Sequence, residues 1–151
     1  MKKEPPEPHP PEDLMQHPGH LLRRAVQVMN QLWDEEVSRT ITSPQFAVLN
    51  ALYGEPNLDQ RTLGRRVSLD RSTMTEIVSR LSTRSLIRSE RDPRDGRRKT
   101  ITLTPKGLHT VQHLIPRTHV MTSRLVGPLD QKQRDELLCL LTKVAGGSER
   151  R

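Results

Sequence analysis

The chain has 151 residues, enough for one domain or a small domain plus an oligomerisation element, and its 25 Lys+Arg against 18 Asp+Glu leave a net charge of +7. Hydrophobic content is only 32%, a level at which a partner subunit often completes the core, and Trp33, Phe46 and Tyr53 are too few aromatics to stack single strands or RNA loops. The single cysteine, Cys139, excludes an internal disulfide framework and a thiolate-rich zinc site, while the lack of an 18-residue apolar run or signal-peptide core predicts a cytoplasmic, non-membrane protein.

Residues 1–18 hold six prolines and almost nothing apolar, the pattern of an extended tail, with room for a short turn at Leu14 and Met15. A helix is expected over 19–38, where Leu21, Leu22, Ala25, Val26, Met29, Leu32, Trp33 and Val37 recur at spacings of three and four. Its apolar stripe is too wide for one surface to cover. Ser43 as N-cap and Pro44 at the first helical position begin a second helix, which Gly54 and Pro56 end. Asp59 caps a short third helix to about Val67, with Leu58 and Leu63 as a hydrophobic staple.

After a turn at Ser68 and Leu69, Asp70 caps a fourth helix. Met74, Ile77, Val78 and Leu81 make its narrow apolar stripe. The other side offers Ser72, Thr75, Glu76, Ser79 and Thr83, with Arg71 and Thr73 near its start. Short hydroxyl side chains on an exposed helix face allow close approach to base edges and phosphates in a major groove. Two alternating segments, 86–91 and 98–103, read as strands with Ile87, Ile101 and Leu103 on one face. The Asp95-Gly96 pair between them is a hairpin signal. Arg94, Arg97 and Arg98 then stand on a projecting tip, which can follow a DNA backbone or enter a narrow minor groove.

Pro105 opens a further helix with Leu108, Val111, Leu114, Ile115, Met121, Leu125 and Val126 on its stripe, and Pro116 is expected to kink or split it near His113. The last helix starts at Asp130 with Gln133 completing a capping box, and Gly146-Gly147 ends it. Cys139 lies among its leucines and is expected to be inert packing.

Charge is unevenly spread. Residues 58–106 contain 13 basic and 6 acidic side chains, a net of +7 that equals the net of the whole chain. The remainder is neutral, and so localised an excess points to a polyanion. No Gly-rich phosphate loop, Gly-x-Ser-x-Gly or pair of working carboxylates suggests an enzyme, and no cofactor is called for.

A helix-turn-helix followed by a basic wing, bracketed by apolar helices, resembles the MarR family of bacterial transcription regulators over residues 19–145. The stretches LDRSTMTEIVSRL and RDPRDGRRKTITLTPKG carry most of the likeness, with Asp95 and Arg97 as the wing Asp-x-Arg and Leu103-Thr104-Pro105-x-Gly107 as the strand-to-helix junction. The resemblance implies a mainly α fold with a small β-wing, acting as a homodimer on double-stranded DNA. Residues 43–104 would form the DNA-binding domain, 19–42 and 105–145 the dimerisation region, and 146–151 a tail. It further implies that Arg80 pairs with Asp95 and that Arg97 enters the minor groove. Ser68 and Ser85 stand where the family commonly has Gly, Gly64 where it has Ala, and Glu76 where a basic residue is frequent. Glu76 could instead accept from cytosine N4.

Family members line a cleft between dimer body and DNA head, and His20, Arg23, Arg24 and Trp33 match that region. The stretch PGHLLRRAVQ is similar to regulators of aromatic-acid catabolism, which implies an aromatic carboxylate or acyl thioester as effector. His109 and His113, four apart on one helix, are open to three readings: ordinary helix histidines, an effector contact, or a zinc pair as in one MarR subgroup. That subgroup's further histidine is absent from Arg39-Thr40-Ile41-Thr42, so no metal site is assigned. The expected function is a ligand-responsive repressor; the alternatives are a zinc-responsive regulator and a non-specific architectural DNA binder.

Overall fold

The computed structural model describes residues 12–92, 95, 96 and 99–146. In chain order they form α1 (Glu12–Met15), α2 (Pro18–Leu32), a π-helical turn (Trp33–Val37), α3 (Ser43–Gly54), α4 (Gln60–Arg66), α5 (Arg71–Thr83), β1 (Ile87–Arg91), β2 (Lys99–Leu103), α6 (Pro105–Leu125) and α7 (Gln131–Gly146). The fold is mainly helical, with one two-stranded antiparallel sheet in which Ile87 faces Leu103 and Ser89 faces Ile101. Leu58 adds a single bridge to that sheet, where Ile101 N donates to Leu58 O at 2.8 Å.

Local signals set most boundaries. Asp59 accepts from Thr62 N and Asp70 from Thr73 N, both at 2.9 Å, so each carboxylate caps a helix whose first N–H groups have no intrahelical partner. Asp130 and Gln133 exchange 2.9 Å bonds in the expected capping box. At α3 the cap is Thr42, one residue earlier than expected. Its hydroxyl accepts from Gln45 N and the Gln45 amide accepts from Thr42 N, leaving Ser43 and Pro44 inside the first turn.

The first long helix does not run unbroken over 19–38. Its last turn widens into a π-helix, closed by Ser38 N on Trp33 O at 3.0 Å. The wider turn brings both Trp33 and Val37 into the core. Arg124 of α6 braces the turn from outside through Glu35, at 3.2 Å, and Glu36. Pro116 does not split α6, which continues from Pro105 to Leu125. Pro116 and Gln112 are both exposed, so the carbonyl freed by the missing N–H can be hydrated.

The core joins α3, α4, α5 and the wing. Val48, Leu49, Leu63 and Leu81 are fully buried, with Met74, Ile77, Leu86, Ile87 and Ile101 around them, and α6 contributes Val111 and Leu114. Nothing in α2 or α7 is buried within the single chain. Cys139 is therefore exposed, against expectation, because its leucine neighbours have no surface of this chain to pack on. The described residues contain no helix long and apolar enough to cross a membrane.

Candidate nucleic-acid interface

Helix α5 is held by one face and presents the other. Met74, Ile77 and Leu81 are buried, while Arg71, Ser72, Thr75, Glu76, Ser79 and Arg80 are exposed and Thr73 is half-buried. Several of these polar groups are already engaged. Asp70 takes the hydroxyls of Ser72 and Thr73, each at 2.6 Å, and these bonds with Thr73 N hold its carboxyl well below the usual carboxylate range. Thr75 donates to Arg71 O at 2.9 Å and accepts from Gln60 of α4 at 3.0 Å. Ser72, Thr73 and Thr75 thus keep acceptor capacity but have committed their protons. The Ser79 hydroxyl has no partner among the described residues, although its carbonyl accepts from Thr83 Oγ1 at 3.0 Å.

Arg80 and Glu76 were each assigned another role from the sequence. Arg80 Nη2 lies 2.5 Å from Glu76 Oε1, one turn back on the same helix. Within α5 Arg80 therefore meets the carboxylate of Glu76, which at i−4 is within reach on a helix surface. Asp95 is exposed at the wing tip and has interactions of its own. Arg94, Arg97 and Arg98 lie outside the described residues.

A groove missed in the sequence reading runs between α4 and α5. It is lined by Gln60, Arg61, Gly64, Arg65, Leu69, Arg71, Met74 and Thr75 and has a volume of about 690 Å³. Arg61, Arg65 and Arg71 have no carboxylate partner among the described residues, whereas Arg66 is paired with Glu55 and Arg88 with Glu90. The signal was present as charge within 58–106, but only the fold shows which arginines are uncommitted.

The turn and the junction explain the unusual residues. Ser68 (φ 54°) and Ser85 (φ 57°) both sit in the left-handed region that favours glycine. Gly64 faces Met74 so closely that an added Cβ would lie 3.0 Å from Met74 Cγ and 3.2 Å from Leu69 O. At Gly107 the Cβ would fall 1.9 Å from Leu86 O. Thr104 caps α6 there, donating to Ser85 O at 2.7 Å and accepting from Gly107 N at 3.0 Å.

The family model for MarR proteins matches residues 39–98, which span α3 to β1 and the wing tip. The transcriptional repressor NicR of Pseudomonas putida is 31% identical over 140 residues, covering 92% of this chain and 89% of NicR. The chain belongs to the MarR family. The structure of the MarR-type regulator PcaV from Streptomyces coelicolor, in complex with its natural ligand, superposes with a TM-score of 0.86 at 48% identity, covering 91% of this chain and 97% of PcaV. That of BpsR from Bordetella bronchiseptica, whose DNA binding is regulated by 6-hydroxynicotinic acid, gives 0.76 at 30% identity, covering 84% and 97%.

Within this MarR-family chain the proposed effector residues separate. Trp33 is a core residue, 5% exposed, with its indole N–H donating to Ile41 O at 2.7 Å and its ring tilted against Phe46 at 5.5 Å. It is not among the residues that line the cleft beside the 38–42 loop. His20 is half-buried on α2, Arg23 and Arg24 are exposed there, and Arg24 reaches Met15 Sδ at 3.3 Å. His109 and His113 instead open onto a separate cleft beside the 38–42 loop. No third His, Cys, Asp or Glu joins them in a metal-sized cluster among the described residues.

Proposed function

We propose that the protein is a homodimeric repressor that reads a pseudo-palindromic operator in double-stranded DNA and is released by a small aromatic acid or related acyl thioester. The observation that carries the DNA reading is α5. It is pinned by a buried apolar stripe, presents an exposed polar face, and is flanked by the wing on one side and the Arg61, Arg65 and Arg71 groove on the other. In this reading α5 enters the major groove, with Glu76, Ser79 and Arg80 nearest the base edges. The wing arginines and the groove grip phosphates. Ser72, Thr73 and Thr75 accept rather than donate.

Two copies are needed because α2 and α7 leave Leu21, Leu22, Val26, Leu138, Leu140, Leu141 and Val144 exposed. A patch so apolar on a chain this polar is best covered by a second copy. The effector class is supported by the 6-hydroxynicotinic acid named for BpsR and by the basic, apolar-floored cleft beside the 38–42 loop of this chain. Induction then requires that the acid prefer a dimer whose heads are wrongly spaced for the operator.

The test is a footprint on the intergenic region beside the protein's own gene, titrated with aromatic acids. Protection of an inverted repeat with half-sites about one helical turn apart, lost on adding an acid, is expected. Uniform coverage without a preferred site would mark a non-specific architectural binder instead.

A further inference from the structure

We propose that Gln60, at the start of α4, is a positioning residue that makes Thr75 of α5 select one kind of base edge, an exocyclic amino group (adenine N6 or cytosine N4) presented in the major groove. Gln60 is half-buried and Thr75 is exposed, and both line the groove between α4 and α5. Thr75 also lines the hollow over Asp70, Arg71 and Ser72, so it stands on the ridge between the two depressions. It lies in the first half of α5, the part of a recognition helix that meets base edges.

A hydroxyl has one proton and two lone pairs. The Thr75 proton goes to Arg71 O at 2.9 Å, one turn back, and one lone pair accepts from Gln60 Nε2 at 3.0 Å. With the proton already placed, Gln60 must offer its amide nitrogen and not its oxygen. One lone pair is left, and a lone pair meets only a donor. In the major groove the donors are the amino groups of adenine and cytosine, whereas guanine O6 and thymine O4 are acceptors.

Gln60 is what makes this restriction hold. A threonine hydroxyl in a helix divides between two rotamers, and an unclamped one serves a base as donor or acceptor alike. The Gln60 bond selects one rotamer and occupies one lone pair. The other hydroxyls of α5 have no such clamp from outside. Ser72 and Thr73 are held by Asp70, the cap of the same helix, and Thr83 by Ser79 O. Among the described residues, Gln60 to Thr75 is the one side-chain hydrogen bond that crosses between α4 and α5.

This role differs from that of the arginines in the same groove. Arg61, Arg65 and Arg71 carry charge and so contribute to every duplex alike. Gln60 carries none, so its effect is on the direction of one hydrogen bond and hence on sequence preference. The base selection rests on the operator reading proposed above; the bonds joining Gln60, Thr75 and Arg71 do not.

Binding of the full chain to its footprinted operator, with each base pair of one half-site exchanged in turn, tests the assignment. For the parent, exchanging one amino-bearing base should weaken binding by about fivefold or more. Gln60→Met keeps the length but loses the donor, and should shrink that penalty to about twofold or less. The other penalties, and affinity for random duplex, should stay within about twofold of the parent. Thr75→Val removes the hydroxyl at similar volume and should erase the same penalty. Adding Gln60→Met to Thr75→Val should then change nothing further, since Gln60 acts through that hydroxyl. Both residues lie outside the core, so thermal unfolding of each variant should match the parent. A parent-like set of penalties in Gln60→Met overturns the assignment, as does a loss at a position that Thr75→Val leaves intact. Equal weakening on operator and random duplex also overturns it, making Gln60 a phosphate contact. A parent chain that prefers no sequence overturns the operator reading itself, and the assignment with it.

Discussion

Arg61, Arg65 and Arg71 face an open groove without a carboxylate, while Arg66, Arg80 and Arg88 are each neutralised by a nearby glutamate. The charge excess of residues 58–106 is therefore not evenly usable, and the uncommitted arginines are the ones that can release counterions from DNA. Arg61→Ala and Arg65→Ala should each weaken binding alike for operator and random duplex and reduce the slope of log affinity against log salt by about 1. Fluorescence anisotropy across a salt series measures both quantities. A loss confined to the operator would instead make the residue a base reader. Glu76 is the opposite case, because it pairs with Arg80 on the exposed face of α5. Glu76→Ala should free Arg80, raise affinity for random duplex and steepen the salt slope by about 1, while narrowing the gap between operator and random DNA. Unchanged discrimination would show that Glu76 reads no base.

Between neighbouring elements the tightest constraint is the crossing of β2 into α6, where Gly107 lets the helix rest on Leu86 O. Gly107→Ala should destabilise by about 1–3 kcal/mol or more, since the atom it meets is backbone and cannot rotate away. Urea unfolding gives the value, and a loss below a few tenths of a kcal/mol would mean that the junction relaxes freely. Gly64→Ala tests the same logic against helix propensity. Propensity alone favours Ala by about 1 kcal/mol, but the contacts to Met74 and Leu69 O predict a net loss. Features of this kind divide what could be read from the chain. Caps at Asp59, Asp70 and Asp130 were legible because a cap is made within three residues. The π-turn was not, because apolar spacing cannot tell a widened turn from an ordinary one. The second cleft was not either, because Arg84 and Thr40 lie 44 residues apart. The Arg80–Glu76 pair was not singled out because, on paper, spacing alone does not say which exposed carboxylate a helix arginine takes.

For the whole molecule the unresolved balance is apolar surface. Leu138 and Val144 are each 66% exposed, and Leu140 and Leu141 add to them on α7. Cys139 belongs to the same account, since its exposure follows from that of the helix and its burial would follow from pairing. Pairing also explains how a small wing and a half-neutralised helix can hold an operator. Two heads fixed to one body bind as a bivalent unit, so the second engages at a high effective concentration. Placing Glu at Leu138 and Val144 together should then give a folded monomer, because neither side chain supports the core of its own chain. Light scattering should report half the parent mass, with the thermal transition preserved. Operator affinity should fall by about 10²-fold or more, while affinity for a single half-site changes little. If the double variant kept the parent mass, the exposed face of α7 would not be the one that joins the two copies.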